Sequence, residues 1–447
     1  MKYSGIVEGF NIPTQWQTMK FGKVCSVVTD FVASGSFADL RANVPYLSEP
    51  DYAMLVRTTD LAKTARSEGK VYISKESYDF LSNSNLFGGE IVLPNIGSIG
   101  DAYVVPNLYE HMSLAPNAIM FKTNYCDKYY YYYFLSKIGK LQLDEISQST
   151  AIAKFNKTDL KQLRVVLPTL SEQQRIASFL DRKCAEIDEM IALQEKIVEE
   201  LKAYKQSVIT EAVTKGLNPD APLKDSGIEW IGKIPEQWRV CRVKDVLELG
   251  KDGIKIGPFG SSLTNKVNGD GECKIYGQWN IVNKDFTAGK NFVSAETYRE
   301  LDAYKIVAGD ILVSMMGTIG KCAIIPNGLQ DGIMDSHVIK IRINKSIINP
   351  EYFELMYDKD NSTFIFEQLS RMKKGSIMDG LNSSIVKRLY LLLPPIDEQQ
   401  EIVSYLLQKR SEIESLISIK QRKIDDLKEY KKSIIYEYVT GKKEVTE

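Results

Sequence analysis

The stretch LPTLSEQQRIASFLDRKCAEIDEMIALQEKIVEELKAYKQSVITEAVT, residues 167–214, returns as LPPIDEQQEIVSYLLQKRSEIESLISIKQRKIDDLKEYKKSIIYEYVT at residues 393–440. The two copies align without a gap at a constant offset in residue number, 226, and 21 of their 48 positions are identical. Self-similarity at a fixed offset is the signature of a duplicated structural unit. The chain therefore contains an internal repeat.

Two further pairs of segments lie upstream of these copies. IPTQW at Ile12–Trp16 returns as IPEQW at Ile234–Trp238, and GEIVLPNIGSIG from Gly89 returns as GDILVSMMGTIG from Gly309. Their offsets, 222 and 220, differ from 226, so insertions and deletions separate the common landmarks. The predicted order is globular unit, helix, globular unit, helix.

Both repeated segments are predicted to be long helices. Ser171 and Asp397 are candidate N-caps, each with a glutamine three residues later, and after these caps neither segment contains Gly or Pro before Gly216 or Gly441. Apolar residues recur at heptad spacing, which predicts that the two helices pair as an antiparallel coiled coil. The predicted interface contains Leu180, Ile187, Met190, Ile197, Leu201, Tyr204 and Val208 in the first copy, and Leu406, Ile413, Leu416, Leu427, Tyr430 and Ile434 in the second.

Polar residues interrupt this interface at Gln194 and Lys420, where they are expected to fix register and partner choice at some cost in stability. Roughly 42 helical residues would span about 60 Å and hold the globular units apart.

Outside the two helices, each globular unit contains short runs that are rich in β-branched and aromatic residues and are bounded by Gly, Pro, Asn or Asp, as is typical of strands. The predicted fold class is α+β, with two strand-rich globular domains at residues 1–166 and 218–392, each followed by a helical spacer, at 167–217 and 393–447. The stretch TKGLNPDAPLKDSGIEWIGKIP is predicted to be a linker.

Composition narrows the function classes. The 447 residues carry 57 basic and 58 acidic side chains, so a nucleic-acid surface would have to be local. Six scattered cysteines without a CxxC pair and only two histidines argue against a metal site or a histidine-based catalytic triad. The absence of a long apolar run and of a signal-peptide pattern predicts a cytoplasmic protein without a membrane partner.

The sequence resembles the specificity subunits of type I DNA restriction-modification systems. The resemblance covers essentially the whole chain. It rests on the duplicated EQQ helices, on KDSGIEWIGKIPEQW at residues 224–238 and on GDILVSMMGTIGK from Gly309. It implies that each globular unit is a target-recognition domain for one half of a bipartite, asymmetric double-stranded DNA site. The helices would set the half-site spacing and dock the methyltransferase subunits.

The resemblance also implies the partners and their cofactors. Methyltransferase subunits, two in the expected complex, would bring S-adenosylmethionine and methylate adenine at N6, and motor-nuclease subunits would bring ATP and magnesium. The chain itself is expected to hold no cofactor, metal or catalytic residue.

Polar and basic loop residues are the candidates for DNA contact, because base edges are read by hydrogen-bonding side chains and phosphates by Lys and Arg. The candidates are Arg57, Thr58, Thr59, Lys63, Arg66 and Lys70 in the first unit, and Gln278, Trp279, Asn280, Arg371, Lys373, Lys374 and Ser376 in the second.

The run Tyr129–Tyr133 could stack on bases. The offset of 220, however, aligns Tyr132 with Tyr352, in what looks like a helix packed on each sheet. Core packing is the favoured interpretation.

Two other functions stay open. One is a protein-interaction scaffold in which the coiled coil is the working part. The other is a metal-dependent nuclease using Asp51, Glu68 and Lys70.

Overall fold

The computed structural model describes residues 1–8, 10–62, 69–147, 153–250, 252–258, 263, 271–373 and 380–445. The chain forms two compact units. Unit 1 contains Met1–Gln194 and Arg422–Glu447, and unit 2 contains Glu195–Gln421. Each unit thus combines one strand-rich part with a portion of both long helices, so a division of the chain at residues 166, 217 and 392 cuts across the compact units.

The strands of unit 1 are β1 Lys2–Tyr3, β2 Asn11–Ile12, β3 Gln17–Lys20, β4 Cys25–Asp30, β5 Ala53–Val56, β6 Tyr72–Ile73, β7 Asn85–Leu86, β8 Ile91–Pro94, β9 Tyr103–Val104, β10 Met112–Leu114, β11 Ala118–Thr123 and β12 Arg164–Leu167. The helices are α1 Phe21–Val24, α2 Phe37–Asn43, α3 Thr58–Leu61, α4 Lys75–Phe80, α5 Asp127–Leu135, α6 Lys137–Ile146, α7 Lys157–Gln162 and the first part of α8 Leu170–Lys215.

The strands of unit 2 are β13 Leu223–Asp225, β14 Lys233–Pro235, β15 Arg239–Arg242, β16 Ile254–Ile256, β17 Cys273–Tyr276, β18 Phe292–Val293, β19 Ile311–Ser314, β20 Cys322–Ile324, β21 Gly332–Met334, β22 Val338–Ile341 and β23 Tyr390–Leu393. The helices are α9 Gln278–Asn283, α10 Ala295–Glu300, α11 Pro350–Tyr357, α12 Phe364–Lys373, α13 Ser383–Arg388 and the first part of α14 Ile396–Val439.

The main sheets of the two units share their strand order. The order β4-β11-β8-β9 in unit 1 matches β16-β22-β19-β20 in unit 2, and β6-β5-β10 matches β18-β17-β21, with β7 as an additional strand beside β10 in unit 1. The parallel pairs also share their register: Met54 pairs with Met112 and Lys274 pairs with Gly332, and both strands follow the offset of 220 found in the sequence. The duplication predicted from the sequence is therefore present down to single backbone partners.

The tyrosine run lies in the core of unit 1. Tyr129, Tyr130 and Tyr133 are fully buried. Burial raises the pKa of the Tyr129 and Tyr133 hydroxyls well above the usual value. The Tyr129 hydroxyl donates to the Val439 carbonyl over 2.8 Å. Core packing, rather than base stacking, is confirmed.

The predicted alignment of this helix was wrong by one turn. Helix α5 begins at Asp127 and α11 at Pro350, which is an offset of 223. The Tyr352 hydroxyl donates to the carbonyl of Val213, whose equivalent in the second long helix is Val439 at the offset of 226. Tyr352 is thus the counterpart of Tyr129, not of Tyr132. The tyrosine-rich run allowed either alignment, and the hydrogen bonds decide between them.

Helix α8 begins earlier than predicted. The capping residue is Thr169, not Ser171: its hydroxyl accepts a hydrogen bond from the Glu172 backbone N–H, and the Glu172 carboxylate accepts from the Thr169 backbone N–H in return. Pro395 takes the corresponding place before α14, where its carbonyl accepts from the Gln399 N–H. The two helices contain 46 and 44 residues.

The predicted linker is folded in part. Strands β13 and β14 form an antiparallel hairpin across residues 223–235, and the Trp230 ring at its turn lies 5.5 Å from the Phe364 ring of α12. Residues 226–232 form the loop of this hairpin, which is closed by a hydrogen bond from the Ser226 N–H to the Gly232 carbonyl.

Within each unit the two helix portions run antiparallel. In unit 1, Phe179 contacts Tyr438 and Lys431 pairs with Asp188; in unit 2, Lys205 pairs with Glu414. The two ion pairs are equivalent, because Lys431 and Glu414 correspond to Lys205 and Asp188 at the offset of 226. The predicted pairing is confirmed.

The side chains that face the partner helix recur every three or four residues. In α8 they are Ala177, Leu180, Cys184, Ile187, Ile191, Gln194, Val198, Leu201, Lys205, Val208 and Ala212, and in α14 they are Val403, Leu406, Arg410, Ile413, Ile417, Lys420, Ile424, Leu427, Lys431, Ile434 and Tyr438, all buried or half-buried. Of the predicted residues, Leu180, Ile187, Leu201, Val208, Leu406, Ile413, Leu427 and Ile434 belong to this set.

Tyr204 and Tyr430 do not belong to it. They are 56% and 55% exposed, and Met190 and Leu416 are exposed as well. We call the row of side chains that face the partner helix the seam. Each of these four large apolar residues lies one position before a seam residue, and the seam residues that follow Tyr204 and Tyr430 are Lys205 and Lys431. Their alkyl stems pack while their charged ends reach a carboxylate at the edge, so residue hydrophobicity alone selected the wrong position.

No helix in the described ranges is long and apolar enough to span a membrane.

Candidate nucleic-acid interface

In each unit the ends of the parallel strand pair and the neighbouring loops lie together at one edge. In unit 2 the Asp335 N–H donates to the Tyr276 carbonyl over 2.9 Å, and the Ala115 N–H in unit 1 donates to the Val56 carbonyl over the same distance. The Met315 N–H likewise donates to the His337 carbonyl, as the Asn95 N–H does to that of Asn117. All these partners correspond at the offset of 220, so the two edges have the same backbone. We call them rim 1, which contains Thr58, Thr59, Asn95, Ile96, Ala115, Pro116 and Asn117, and rim 2, which contains Gln278, Trp279, Met315, Met316, Asp335, Ser336 and His337.

The rims differ in every side chain. None of the seven positions carries the same residue in both units, whereas the glycines of the adjoining loop, Gly97 and Gly100, are matched by Gly317 and Gly320. All four glycines have positive φ, which suits a residue without a Cβ. The two units therefore present different chemical groups on one backbone frame.

Arg57 has a structural role beside rim 1. Its Nε and Nη2 donate to the two carboxylate oxygens of Asp60 over 2.9 and 2.8 Å, and Nη2 also donates to the Gly69 carbonyl over 2.7 Å. The hydrogen bond to Asp60 raises the pKa of the guanidinium. The fork that would read a guanine is thus already occupied, and Arg57 holds the first turn of α3 in place.

The other candidates of unit 1 are distributed differently. Thr58 is half-buried, and Thr59 and Lys70 are exposed. Lys63 and Arg66 lie outside the described residues. Thr59 and Lys70 remain available for DNA contact.

Asn280 is buried and was predicted wrongly as a surface residue. Its Oδ1 accepts from the Gly277 N–H over 3.0 Å, and its Nδ2 donates to the carbonyls of Asp285 and Ala288 over 2.8 and 3.0 Å. It occupies the position of Asp60 in unit 1, at the offset of 220. Each of the two side chains caps the N-terminus of the short helix that contains it. Both amide hydrogens of Asn280 are thus used inside unit 2.

Gln278 and Trp279 lie at rim 2, and their predicted contact with DNA stays a prediction. The Gln278 Oε1 accepts from the Met316 N–H over 2.9 Å, which ties α9 to the loop after β19 and leaves its Nε2 to donate. The Trp279 indole is 56% exposed. An exposed indole beside an amide donor is a surface suited to both apolar and polar contact with base edges.

The basic cluster that begins in the last turn of α12 is described only at its start. Arg371 is exposed and lies over the Trp230 ring, with 5.6 Å between the guanidinium carbon and the ring centroid. Lys373 ends α12, but its side chain lies outside the described part, as do Lys374 and Ser376 entirely. Leu381, which follows, donates its N–H to the Met315 carbonyl of rim 2 over 2.8 Å.

Sequence reasoning missed five members of rim 2, namely Met315, Met316, Asp335, Ser336 and His337. They follow β19 and β21, and none of them belongs to a basic or glutamine-rich cluster. The repeat itself would have located them, because the offset of 220 aligns them with Asn95, Ile96, Ala115, Pro116 and Asn117, at positions where two otherwise similar units diverge.

The nuclease alternative has no support in the described residues. No group of three or more His, Cys, Asp or Glu suited to a metal ion is found there. Asp51 accepts a hydrogen bond from the Tyr52 N–H, Lys70 is exposed, and Glu68 lies outside the described residues.

The long helices carry exposed apolar residues outside their seam. In unit 1 these include Met190 and Leu193 of α8 and Tyr430 of α14, which we call patch 1. In unit 2 Leu416 and Ile419 of α14 and Tyr204 of α8 form patch 2. The two sets correspond at the offset of 226, so the duplication repeats the exposed apolar residues as well as the buried ones.

Comparison with known proteins agrees with this duplicated architecture. The family model described as the type I restriction modification DNA specificity domain matches twice, at residues 13–203 and 235–428. The chain belongs to this family. Each copy of the domain includes one strand-rich part and most of the long helix that follows it.

Individual members are similar over most of their length. A putative type I restriction enzyme specificity subunit, MjaX, from Methanocaldococcus jannaschii is 25% identical over 84% of this chain and 85% of its own. The MjaVIII specificity subunit from the same organism is 24% identical over 98% and 95%. Among solved structures, the HsdS subunit from Thermoanaerobacter tengcongensis has a TM-score of 0.53 at 16% identity, covering 97% of this chain and 99% of that one. A chain from a structure of a type I R-M system reaches 0.68 with the same identity and coverage.

Proposed function

We propose that this chain is the specificity subunit of a type I restriction-modification complex and reads a bipartite, asymmetric DNA site. The observation that carries the proposal is the pair of rims: one backbone frame occurs twice, with a different side chain at each of the seven positions. Two identical frames with different chemistry are what two unequal half-sites require. Direct readout depends on the donors, acceptors and apolar groups that a frame presents.

The helix pair would set the distance between the half-sites. Helices of 46 and 44 residues are about 69 and 66 Å long at a rise of 1.5 Å per residue. Neither helix contains Gly or Pro, so each is continuous and its length follows from its number of residues. The number of unspecified base pairs in the site would then be fixed too.

We further propose that patches 1 and 2 each dock one methyltransferase subunit. Exposed apolar clusters on soluble proteins commonly mark interaction sites, and the equivalence of the two patches supports two copies of one partner. The methyltransferase subunits would bring S-adenosylmethionine for N6 methylation of adenine, and motor-nuclease subunits would bring ATP and magnesium. This chain would contribute recognition and no catalytic group.

The near balance of 57 basic and 58 acidic residues supports a modest affinity of the isolated chain for DNA. We therefore expect tight binding to need the methyltransferase subunits. Nanomolar, sequence-specific binding by the chain alone at physiological salt would contradict this part of the proposal.

The test is single-molecule sequencing of genomic DNA from cells that express this chain together with its methyltransferase partner. Cells lacking only this chain are the control. The expected result is N6-methyladenine in a motif of two short half-sites with a fixed gap, present only with the chain. Absence of such a motif, with the partner folded and bound, would favour the interaction scaffold instead.

A further inference from the structure

A cleft beside rim 2 has walls that, apart from one lysine, have no chemical equivalent in unit 1. The cleft encloses about 290 Å³, and its walls include Gly277, Gln278, Trp279, Lys290 and Asp335. At the equivalent positions unit 1 has Arg57, Thr58, Thr59, Lys70 and Ala115. Gly277 has no side chain where unit 1 carries the Arg57 guanidinium, and the small Ala115 replaces the carboxylate. The groups that shape this cleft therefore occur together only in unit 2.

Asp335 is held with its carboxylate in the wall of this cleft. Its N–H is fixed to the Tyr276 carbonyl, and its Oδ1 accepts from the Ser336 N–H over 2.6 Å and from the Ser336 hydroxyl over 3.2 Å. Its Oδ2 lies 3.4 Å from the point where a Cβ on Gly277 would sit, and 4.0 Å from the His337 Nδ1. The second oxygen thus borders the space that the glycine leaves free.

The groups around the cleft suit one class of ligand. A carboxylate accepts hydrogen bonds and donates none, so it selects a base that offers an exocyclic amino group. The exposed Trp279 indole supplies an apolar face, and Lys290, which is also exposed, supplies a positive charge that can lie near a phosphate.

We propose that this cleft receives the edge of one amino-bearing base, cytosine or adenine, of the second half-site, and that Asp335 accepts a hydrogen bond from its amino group. The inference rests on the proposed function and adds to it a specificity-determining residue. It also accounts for the asymmetry of the site, because Ala115 offers no side-chain acceptor at this position of rim 1.

The test compares Asp335→Ala with the unchanged chain, each in complex with the methyltransferase partner. Alanine is compatible with this backbone, because Ala115 occupies the same position with the same hydrogen bond in unit 1. Asp331→Ala is the matched control, since Asp331 is exposed just before β21 and lies outside the cleft. In methylated genomic DNA, Asp335→Ala is expected to make one cytosine or adenine position of the second half-site degenerate. The first half-site and the gap should stay unchanged.

The affinity of the complexes for DNA duplexes is the second readout, and it can be measured even if Asp335→Ala abolishes methylation in cells. A series of duplexes is prepared, each lacking one exocyclic amino group in the second half-site. For the unchanged complex, one of these duplexes is expected to bind about tenfold more weakly than the unmodified duplex. For the Asp335→Ala complex, the same duplex is expected to bind as tightly as the unmodified duplex does.

An unaltered motif in Asp335→Ala, or additive effects for every duplex, would overturn the inference. The proposed function fails separately, by the absence of any bipartite motif with the unchanged chain.

Discussion

The Trp16 indole N–H donates a hydrogen bond to the Glu172 carboxylate over 3.0 Å, and so joins the IPTQW segment to the first turn of α8. Trp238 and Glu398 repeat this bond over 2.9 Å in unit 2. Gln173 and Gln399, the next residues, are fully buried and accept from the N–H groups of Cys126 and Asn349. The paired IPxQW and EQQ motifs are thus one structural device, which anchors each long helix to the strand-rich part before it.

Replacing Glu172 should therefore destabilise unit 1. Glu172→Ala leaves the nearly buried Trp16 N–H without an acceptor and removes half of the capping box with Thr169, so we expect a loss of about 1–2 kcal/mol. Urea unfolding of the full chain measures it. Glu199→Ala is the control, because Glu199 makes only an exposed ion pair with Lys202 and should change stability by less than about 0.5 kcal/mol. Equal losses in both variants would contradict this role.

The same carboxylate predicts a pH dependence. Desolvation alone would raise the pKa of Glu172, but the hydrogen bonds from Thr169 and Trp16 outweigh it and lower the pKa from 4.5. Because the folded chain holds the ionised form, this contribution to stability is present above about pH 4.5 and is lost as the pH falls through the lowered value. Glu172→Gln should abolish that part of the acid sensitivity in urea midpoints measured from pH 6 to pH 3. An unchanged pH profile would show that Glu172 does not contribute.

Asn280 and Trp279 are neighbours in sequence and should give opposite results. Asn280→Ala removes three hydrogen bonds of a buried amide, so we expect a loss of about 1–3 kcal/mol in the free energy of unfolding. Trp279→Ala removes an exposed ring and should change stability by less than about 0.5 kcal/mol. In complex with the methyltransferase partner, Trp279→Ala should weaken binding to the cognate duplex about tenfold. Normal DNA binding by Trp279→Ala would exclude the indole from the interface.

The sequence predicted the duplication, the fold class and the antiparallel helices, because these depend on periodicity and on motifs that occur twice. It did not distinguish Asn280 from Trp279, since burial of an amide within a short helix leaves no periodic signal. It also placed Tyr204 in the seam instead of Lys205, because the sequence does not distinguish a lysine whose alkyl stem packs against a helix from one that is fully solvated. Asp335 is distinguished only by comparison of the two copies, because the offset of 220 aligns it with Ala115.

Patches 1 and 2 should control the number of bound methyltransferase subunits. The double variant Met190→Ser with Leu193→Ser is expected to leave the fold intact, because both residues are exposed. It should reduce the complex from two methyltransferase subunits to one in native mass spectrometry. Leu416→Ser with Ile419→Ser should do the same, and all four changes together should abolish binding.

Leu249→Ser is the matched control for these variants, since Leu249 is exposed but lies outside both helices. Two bound subunits in every variant would rule out the patches as docking sites.

Leu180→Ala, by contrast, changes a buried seam residue and should cost about 2–5 kcal/mol in stability.

Gln194 and Lys420 occupy equivalent seam positions and should respond differently to leucine. Gln194 is buried, and its Oε1 has no hydrogen-bond partner among the described residues. Gln194→Leu is therefore expected to stabilise the chain by about 1–2 kcal/mol. Lys420 is only half-buried, so its ammonium can reach water, and Lys420→Leu should change stability by less than about 0.5 kcal/mol.

The gap of the methylated motif should stay the same in Gln194→Leu, because the neighbouring seam residues Ile187, Ile191 and Val198 fix the register and the helix length is unaltered. Urea unfolding and sequencing of methylated genomic DNA test the two parts separately. Loss of stability in Gln194→Leu would mean that the amide oxygen is hydrogen-bonded after all. A motif with an altered gap would mean that the polar residue, rather than the apolar layers around it, sets the spacing.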